Sequence, residues 1–298
     1  MINTTSTGSK MERILILGSE GQVGAYLKDY FNKKEDYKVL EFDIANGLHQ
    51  DMTKIPNAEL HRKIMLADYV FFLAFDVGGS HYLKKYQHTF KFIDNNARLM
   101  AQTFGLLEQY NKPFVFASSQ MSSMSYSPYG VLKRVGELYT KSLNGLIVKF
   151  WNVYGIEKDM AKAHVITDFI KKGFETGTID MMTDGTEERE FLYAEDCCEA
   201  LETVMLQRRY LDSDSELHIT TGVSTSILEI AQHIQSLFKE IDKEVELAPS
   251  PSKDEVQKDA RNVPDPFIQQ YWQPKTSVKE GLKKVFEVMQ KDYESTTE

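Results

Sequence analysis

Tyr129 and Lys133 stand four positions apart in the run SPYGVLK. One turn of helix therefore places both side chains on the same face. A phenol with an ordinary pKa near 10 needs help to serve as a general base, and a neighbouring ammonium gives it by favouring the phenolate. By itself that spacing is a common accident of surface helices. Its surroundings add weight: Ser118 and Ser119 end the apolar run FVFASS, where a hydroxyl can orient a reacting oxygen. Ser127-Pro128 precedes Tyr129, with the proline suited to a first helical turn.

A second constellation lies nearer the start of the chain. Gly18, Gly21 and Gly24 in GSEGQVG follow one apolar run and open a helical pattern. Glycines at that place let backbone N–H groups approach a pyrophosphate, which the helix N-terminus also favours. Asp43, at the end of the next apolar run, is placed to accept hydrogen bonds from an adenosine ribose and to repel a 2′-phosphate. Dinucleotide binding is the expectation, with NAD favoured over NADP. A glycine turn used only for packing is the alternative.

These groups need elements to hold them. Arg13–Leu17, Lys38–Phe42, Tyr69–Ala74, Phe114–Ala117 and Leu146–Phe150 are short apolar runs, and helical patterns separate them, including a long one over 84–110. Fully apolar strands alternating with helices predict a parallel sheet covered on both faces. Past residue 152 the pattern changes to helices near 161–175, 194–209, 224–240 and 276–291 among short strands. Ala248–Pro266, with four prolines and many charges, is expected to be a loop over the surface. The fold class expected is α/β: a Rossmann-type doubly wound parallel sheet with a smaller C-terminal α/β substrate-binding region. Residues 1–11 are expected to be a disordered leader, 12–152 the NAD-binding domain, and 153–298 mainly the nucleotide-sugar-binding region.

Bulk properties remove other classes. A net charge of −9 without a basic block makes nucleic acid an improbable partner. No apolar run approaches the roughly 20 residues of a membrane span, and the first ten residues lack a signal-peptide core. Cys197 and Cys198 are adjacent within a helical pattern, which argues against a disulfide framework and suits a reducing cytoplasm. No metal site is expected.

Together, GSEGQVG, Asp43, Asp51-Met52, SPYGVLK, VKFWNVYG, DGTEEREFLYAED and the tail WQPKTSVKEGL resemble the extended short-chain dehydrogenase/reductases of the NAD-dependent epimerase/dehydratase family, which act on nucleotide sugars. The resemblance runs from about Arg13 to Val288. It implies that Ser119, Tyr129 and Lys133 are the catalytic set. It implies cofactor contacts at Gly18, Gly21, Gln22, Val23 and Gly24, at Asp43, Asp51 and Met52, at Leu73 and Ala74, and at Tyr129 and Lys133. Substrate contacts are implied at Ser119, Gln120, Asn152 and Arg189, and, on a looser match, at Arg261. A homodimer through the helices containing 84–110 and 127–143 is also implied.

Departures from the family pattern narrow the expected reaction. Gln120 and Met121 stand where 4,6-dehydratases carry an acidic pair. LAFDVGG resembles GDP-sugar epimerases, yet those place a cysteine at Met121; His81 is the candidate substitute, and a surface role for it is favoured. Lys149 replaces the usual arginine of the VRxxN segment. Ser119 and Tyr129 are only ten positions apart, shorter than is usual, so the pocket is expected to be more open or closed by another segment. What remains is hydride and proton transfer at one carbon, most simply C4, as a 4-dehydrogenase, reductase or C4-epimerase. A GDP-sugar 3,5-epimerase type of enzyme and a non-catalytic binding protein on this scaffold are the alternatives.

Overall fold

In the computed structural model, which describes residues 11–257 and 263–297, the chain forms eleven strands and nine α-helices among the described residues. The strands are β1 (Glu12–Leu17), β2 (Tyr37–Phe42), β3 (Tyr69–Phe72), β4 (Phe114–Ser119), β5 (Leu146–Phe150), β6 (Asn152–Tyr154), β7 (Thr178–Asp180), β8 (Glu188–Tyr193), β9 (Leu217–Ile219), β10 (Ser224–Ser226) and β11 (Glu246–Ala248). The helices are α1 (Gln22–Asn32), α2 (Ala58–Leu66), α3 (Ser80–Tyr86), α4 (Phe90–Gln109), α5 (Pro128–Ser142), α6 (Val165–Thr176), α7 (Ala194–Leu206), α8 (Ile227–Glu240) and α9 (Val278–Thr297). Residues 1–10 and Arg261 lie outside the described residues.

Six strands make one parallel sheet in the order β2-β1-β3-β4-β5-β9. Alternate side chains of β1 go to opposite faces, as the period of a strand requires. Ile14 and Ile16 pack with Leu27 and Phe31 of α1 and Leu201 and Val204 of α7. Leu15 and Leu17 pack with Leu60 of α2 and with Phe92 and Phe104 of α4. Both faces are buried, so every residue of the strand's middle is apolar. The fold is the expected Rossmann-type sheet, and its order reverses between β1 and β3, the place where such sheets bind ligands beyond their carboxyl ends.

The long helix expected over 84–110 is two helices. Thr89 caps α4, its hydroxyl accepting from the N–H of Phe92 at 3.3 Å, and residues 87–89 turn the chain out of α3. The apolar spacing runs through this break and hides it.

After β5 the chain builds a smaller body. β10, β8 and β6 form one sheet and β11 pairs with β7. The helices α6, α8 and α9 bury a core of their own around Phe174, Phe238 and Phe286. The separation is not absolute, since α7 and β9 return to the large sheet.

Candidate functional site

The glycine turn joins β1 to α1. Gly18 sits at φ +88°, a conformation that favours glycine, and a Cβ there would lie 2.8 Å from the backbone nitrogen of Ala74. That close approach brings Leu73 and Ala74, at the end of β3, against the turn. A Cβ on Gly24 would lie 1.9 Å from the Gly18 carbonyl oxygen, so α1 can start this close only with glycine there. The Asp43 carboxylate accepts from the N–H of Glu20 at 3.0 Å and of Ala45 at 2.9 Å, tying the end of β2 to the turn. Ser19 Oγ and Gln22 Nε2 are buried there without a hydrogen-bond partner. Buried polar atoms are ordinarily paired. Two orphans in a turn of tightly approaching backbone fit a polar ligand, and the residues present suit a dinucleotide. Val23 is half-buried beside them. Asp51 turns its carboxylate onto the N–H and hydroxyl of Thr53, at 2.8 and 2.7 Å, and Met52 is buried in the core.

Ser119 ends β4 and Tyr129 begins α5. Ser127 caps α5, its hydroxyl accepting from Gly130 N–H at 3.2 Å, and Pro128 occupies the first turn. A Cβ on Gly130 would lie 2.1 Å from the Met121 carbonyl oxygen, so glycine lets the helix start press onto the turn after Ser119. That contact brings the two hydroxyls together. Tyr129 is buried, which pushes its phenol up to about 12, while the nearby Ser119 hydroxyl acts the other way. Lys133 is 3% exposed and donates to the Ala117 carbonyl at 2.6 Å, with its ammonium 3.8 Å from the centre of the Phe75 ring. Burial lowers its pKa to about 7, opposed by the charge of Glu137. The two shifts run in opposite senses: burial moves the ammonium toward neutrality and the phenol away from it.

A cleft of about 180 Å³ opens from this set, with Ser119, Met121, Tyr129, Asn152 and Arg189 in its wall. Asn152 donates to the Glu190 carbonyl at 3.4 Å. Four of the five residues matched to substrate contacts thus gather here: Ser119, Asn152 and Arg189 in the wall, and Gln120 through its bond to a wall residue. Arg261 lies outside the described residues.

The segment expected to be a loop over the surface is irregular and mostly exposed over 249–257, and its residues 253–257 also line the cleft. Asp254 pairs with Arg189, both nearly buried. Gln120 donates to Gln257 at 2.9 Å, Glu255 pairs with Lys84 at 2.9 Å, and Val256 is buried against the large-sheet core. Prolines and charges marked the segment as irregular, correctly; they carried no sign that its carboxylates have buried or cross-cleft partners. Residues 253–257, the strap, thus form one wall of the cleft.

Sequence reasoning also missed Trp151 and His164 in the cleft wall. His164 lies 2.6 Å from Glu157. A lone histidine before a helix gives no local signal. His81, expected at the surface, lines the cleft while its side chain is more than half exposed.

A parallel sheet with a glycine turn at its order reversal, and Ser119, Tyr129 and Lys133 buried beyond the neighbouring strands, defines a Rossmann-type fold with a candidate active site at its carboxyl edge. Residues 14–215 match the NAD dependent epimerase/dehydratase family, and the chain belongs to it; its cofactor is NAD. It is 30% identical over 143 residues to the GDP-L-fucose synthase of Sinorhizobium fredii, a stretch covering 46% of this chain and 44% of that protein. The chain spans about half the length of the first curated relatives it matches. Its fold is similar to that of an epimerase from Methanothermobacter thermautotrophicus, with a TM-score of 0.82 at 20% identity, covering 96% of this chain and 94% of that one. The UDP-glucose 4-epimerase of Thermotoga maritima is similar at a TM-score of 0.77 and 21% identity, covering 94% and 99%.

Proposed function

We propose that the protein moves a hydride and a proton at one carbon, C4, of a nucleotide-activated sugar. The observation that carries this reading is the buried Tyr129, beside Ser119 in the cleft wall and one helical turn from the buried Lys133, with Arg189 in the same wall. Gly18, Gly21, Gln22, Val23 and Gly24 would hold the pyrophosphate of NAD, and Asp43 with Asp51 and Met52 its adenosine end. Leu73, Ala74 and Lys133 would line the nicotinamide side. When bound, NAD supplies a hydride acceptor. Ser119 orients the sugar hydroxyl, Tyr129 takes its proton, and the Lys133 charge favours the phenolate that does so. Asn152 and Gln120 would contact the sugar and Arg189 the diphosphate, by a fork suited to phosphate oxygens.

Neither Gln120 nor Met121 can protonate or deprotonate a neighbouring carbon, so the reading stops at oxidoreduction or C4 inversion. The similarity to a GDP-L-fucose synthase makes GDP-sugars the first substrates to offer. The test is incubation with a panel of nucleotide sugars in heavy water, followed by product mass. A loss of two hydrogens supports oxidation, and unchanged mass with an inverted C4 supports epimerisation. Loss of water or deuterium at C5 refutes the proposal. A second reading, proton exchange beside a carbonyl as in 3,5-epimerases, draws on His81 and His164 in the cleft wall, and deuterium at C3 or C5 would favour it.

We also propose a homodimer through α4 and α5. Val131, Val135 and Leu138 form an exposed apolar row on α5, with Phe90 and Ile93 exposed on α4. Two such helix pairs can bury these rows in a four-helix bundle.

A further inference from the structure

Glu137 is a carboxylate sealed inside the protein, 1% exposed, and the reaction as proposed makes no use of it. A buried charge persists only where opposite charge and hydrogen bonds meet it. Its Oε1 accepts from the Ser118 hydroxyl at 2.6 Å and its Oε2 from Arg134 at 2.7 Å. Lys149 of β5 stands 3.9 Å from Oε1, but it is shared with Glu216 at 3.1 Å, which in turn faces His218 of β9 at 3.1 Å. Arg134 is half exposed, where water screens it. The partners that touch Glu137 are thus one screened cation and one divided between two acids.

The sealed cation on the same helix face is Lys133, one turn earlier. Its own close partners are neutral: the Ala117 carbonyl, and the rings of Phe75 at 3.8 Å, Phe116 at 5.1 Å and Tyr129 at 5.8 Å. Ala117 and Ser118 are consecutive in β4, so lysine and glutamate grip adjacent residues of one strand. Burial drives Lys133 toward losing its proton, and the charge of Glu137 acts against it.

We propose that Glu137 is a positioning residue for the reaction, its sealed carboxylate being the counter-charge that keeps the Lys133 ammonium protonated beside Tyr129. The role rests on the Ser-Tyr-Lys assignment above, because Glu137 acts only through Lys133. Without that negative charge a smaller fraction of Lys133 is protonated near pH 7, and the Tyr129 phenolate loses support.

The test titrates Lys133 in the full-length protein by carbon NMR of labelled lysine ε-carbons, with Lys133→Met assigning the resonance. Glu137→Gln keeps an acceptor for Ser118 and removes the charge, and the proton affinity of Lys133 should fall about tenfold. Glu137→Asp keeps the charge and should leave the midpoint within about threefold of wild type. In the same set, the acid limb of kcat/KM should move to higher pH in Glu137→Gln and return in Glu137→Asp. A purely structural glutamate would lower thermal stability and move neither midpoint. An unmoved Lys133 midpoint in Glu137→Gln, or equal displacement in both variants, overturns the proposal. If Glu137→Gln does not fold, the wild-type carboxyl carbon of Glu137 decides: coupled groups must report each other's titration, and a flat carboxyl signal through the Lys133 midpoint refutes the pairing. The lysine titration needs no substrate, so failure of every sugar to turn over would count against the function and leave this result standing.

Discussion

Alanine at Gly24 and at Gly21 should separate a turn built for packing from one built for a ligand. At Gly24 the added Cβ would lie 1.9 Å from the Gly18 carbonyl oxygen, more than 1 Å inside any real contact, and both partners are backbone. The start of α1 must shift, an overpacking cost of roughly 1–3 kcal/mol or more. The better helix propensity of alanine returns at most about 1 kcal/mol. A net loss near 2 kcal/mol corresponds to a Tm lower by about 4–8 °C in a chain of this size class. At Gly21 the nearest atom to a Cβ is the same oxygen at 3.4 Å, an ordinary contact, so the fold should lose less than about 1 kcal/mol. If the turn cradles a pyrophosphate, that methyl instead occupies the ligand's approach, and NAD affinity should fall tenfold or more with Tm almost unchanged. Thermal unfolding and NAD titration on both variants make the comparison. Wild-type NAD affinity in a well-folded Gly21→Ala would refute the cradle, and an unaltered Tm in Gly24→Ala would refute the steric argument.

Other outcomes follow from the same geometry. Tyr129→Phe should abolish turnover and leave NAD affinity almost unchanged; a residual rate above about a tenth, a barrier change under roughly 1.4 kcal/mol, would remove Tyr129 from the chemistry. NAD should bind more tightly than NADP, and Asp43→Ala should narrow the gap; because Asp43 also ties down Glu20 and Ala45, both cofactors should weaken somewhat. Leu138→Glu should turn a dimer into a monomer in sedimentation at micromolar protein, and a wild-type monomer there would refute the proposed interface. Asp254→Asn should lower the KM for a nucleotide sugar about threefold to tenfold by releasing Arg189, whereas a raised KM at unchanged stability would make Asp254 part of the binding surface.

The large sheet was legible because its information is local. A strand buried on both faces is apolar along most of its length, and FVFA, or the LIV that opens LIVKF, announces that without knowledge of its neighbours. The glycine turn and the Ser-Tyr-Lys set were legible for a related reason: their spacing is read along the chain, and the sheet places the carboxyl ends of its strands side by side. The break between α3 and α4 was not legible, since Thr89 caps a helix within a continuous apolar pattern. In the second half, strands of three residues such as β7 and β11 are set by pairing across 68 positions, as Thr178 with Glu246, and their own residues carry little preference.

The strap shows most clearly where local reading stops. Asp254 and Arg189 are 65 positions apart, and each alone is a charged residue that a surface would accept. Only their meeting brings a polar loop into the wall of a cleft. That meeting bears on substrate entry. The cleft's 180 Å³ is below the roughly 300–1,000 Å³ of typical small-molecule sites. Two of its cations, Arg189 and Lys84, already hold strap carboxylates. A diphosphate bound at Arg189, as proposed above, presents the same kind of anion and would compete with Asp254 for that guanidinium. Substrate affinity is then a difference between two anions at one guanidinium, so added salt should weaken both the strap contact and the substrate contact, leaving KM less salt-dependent than an open cationic pocket would make it.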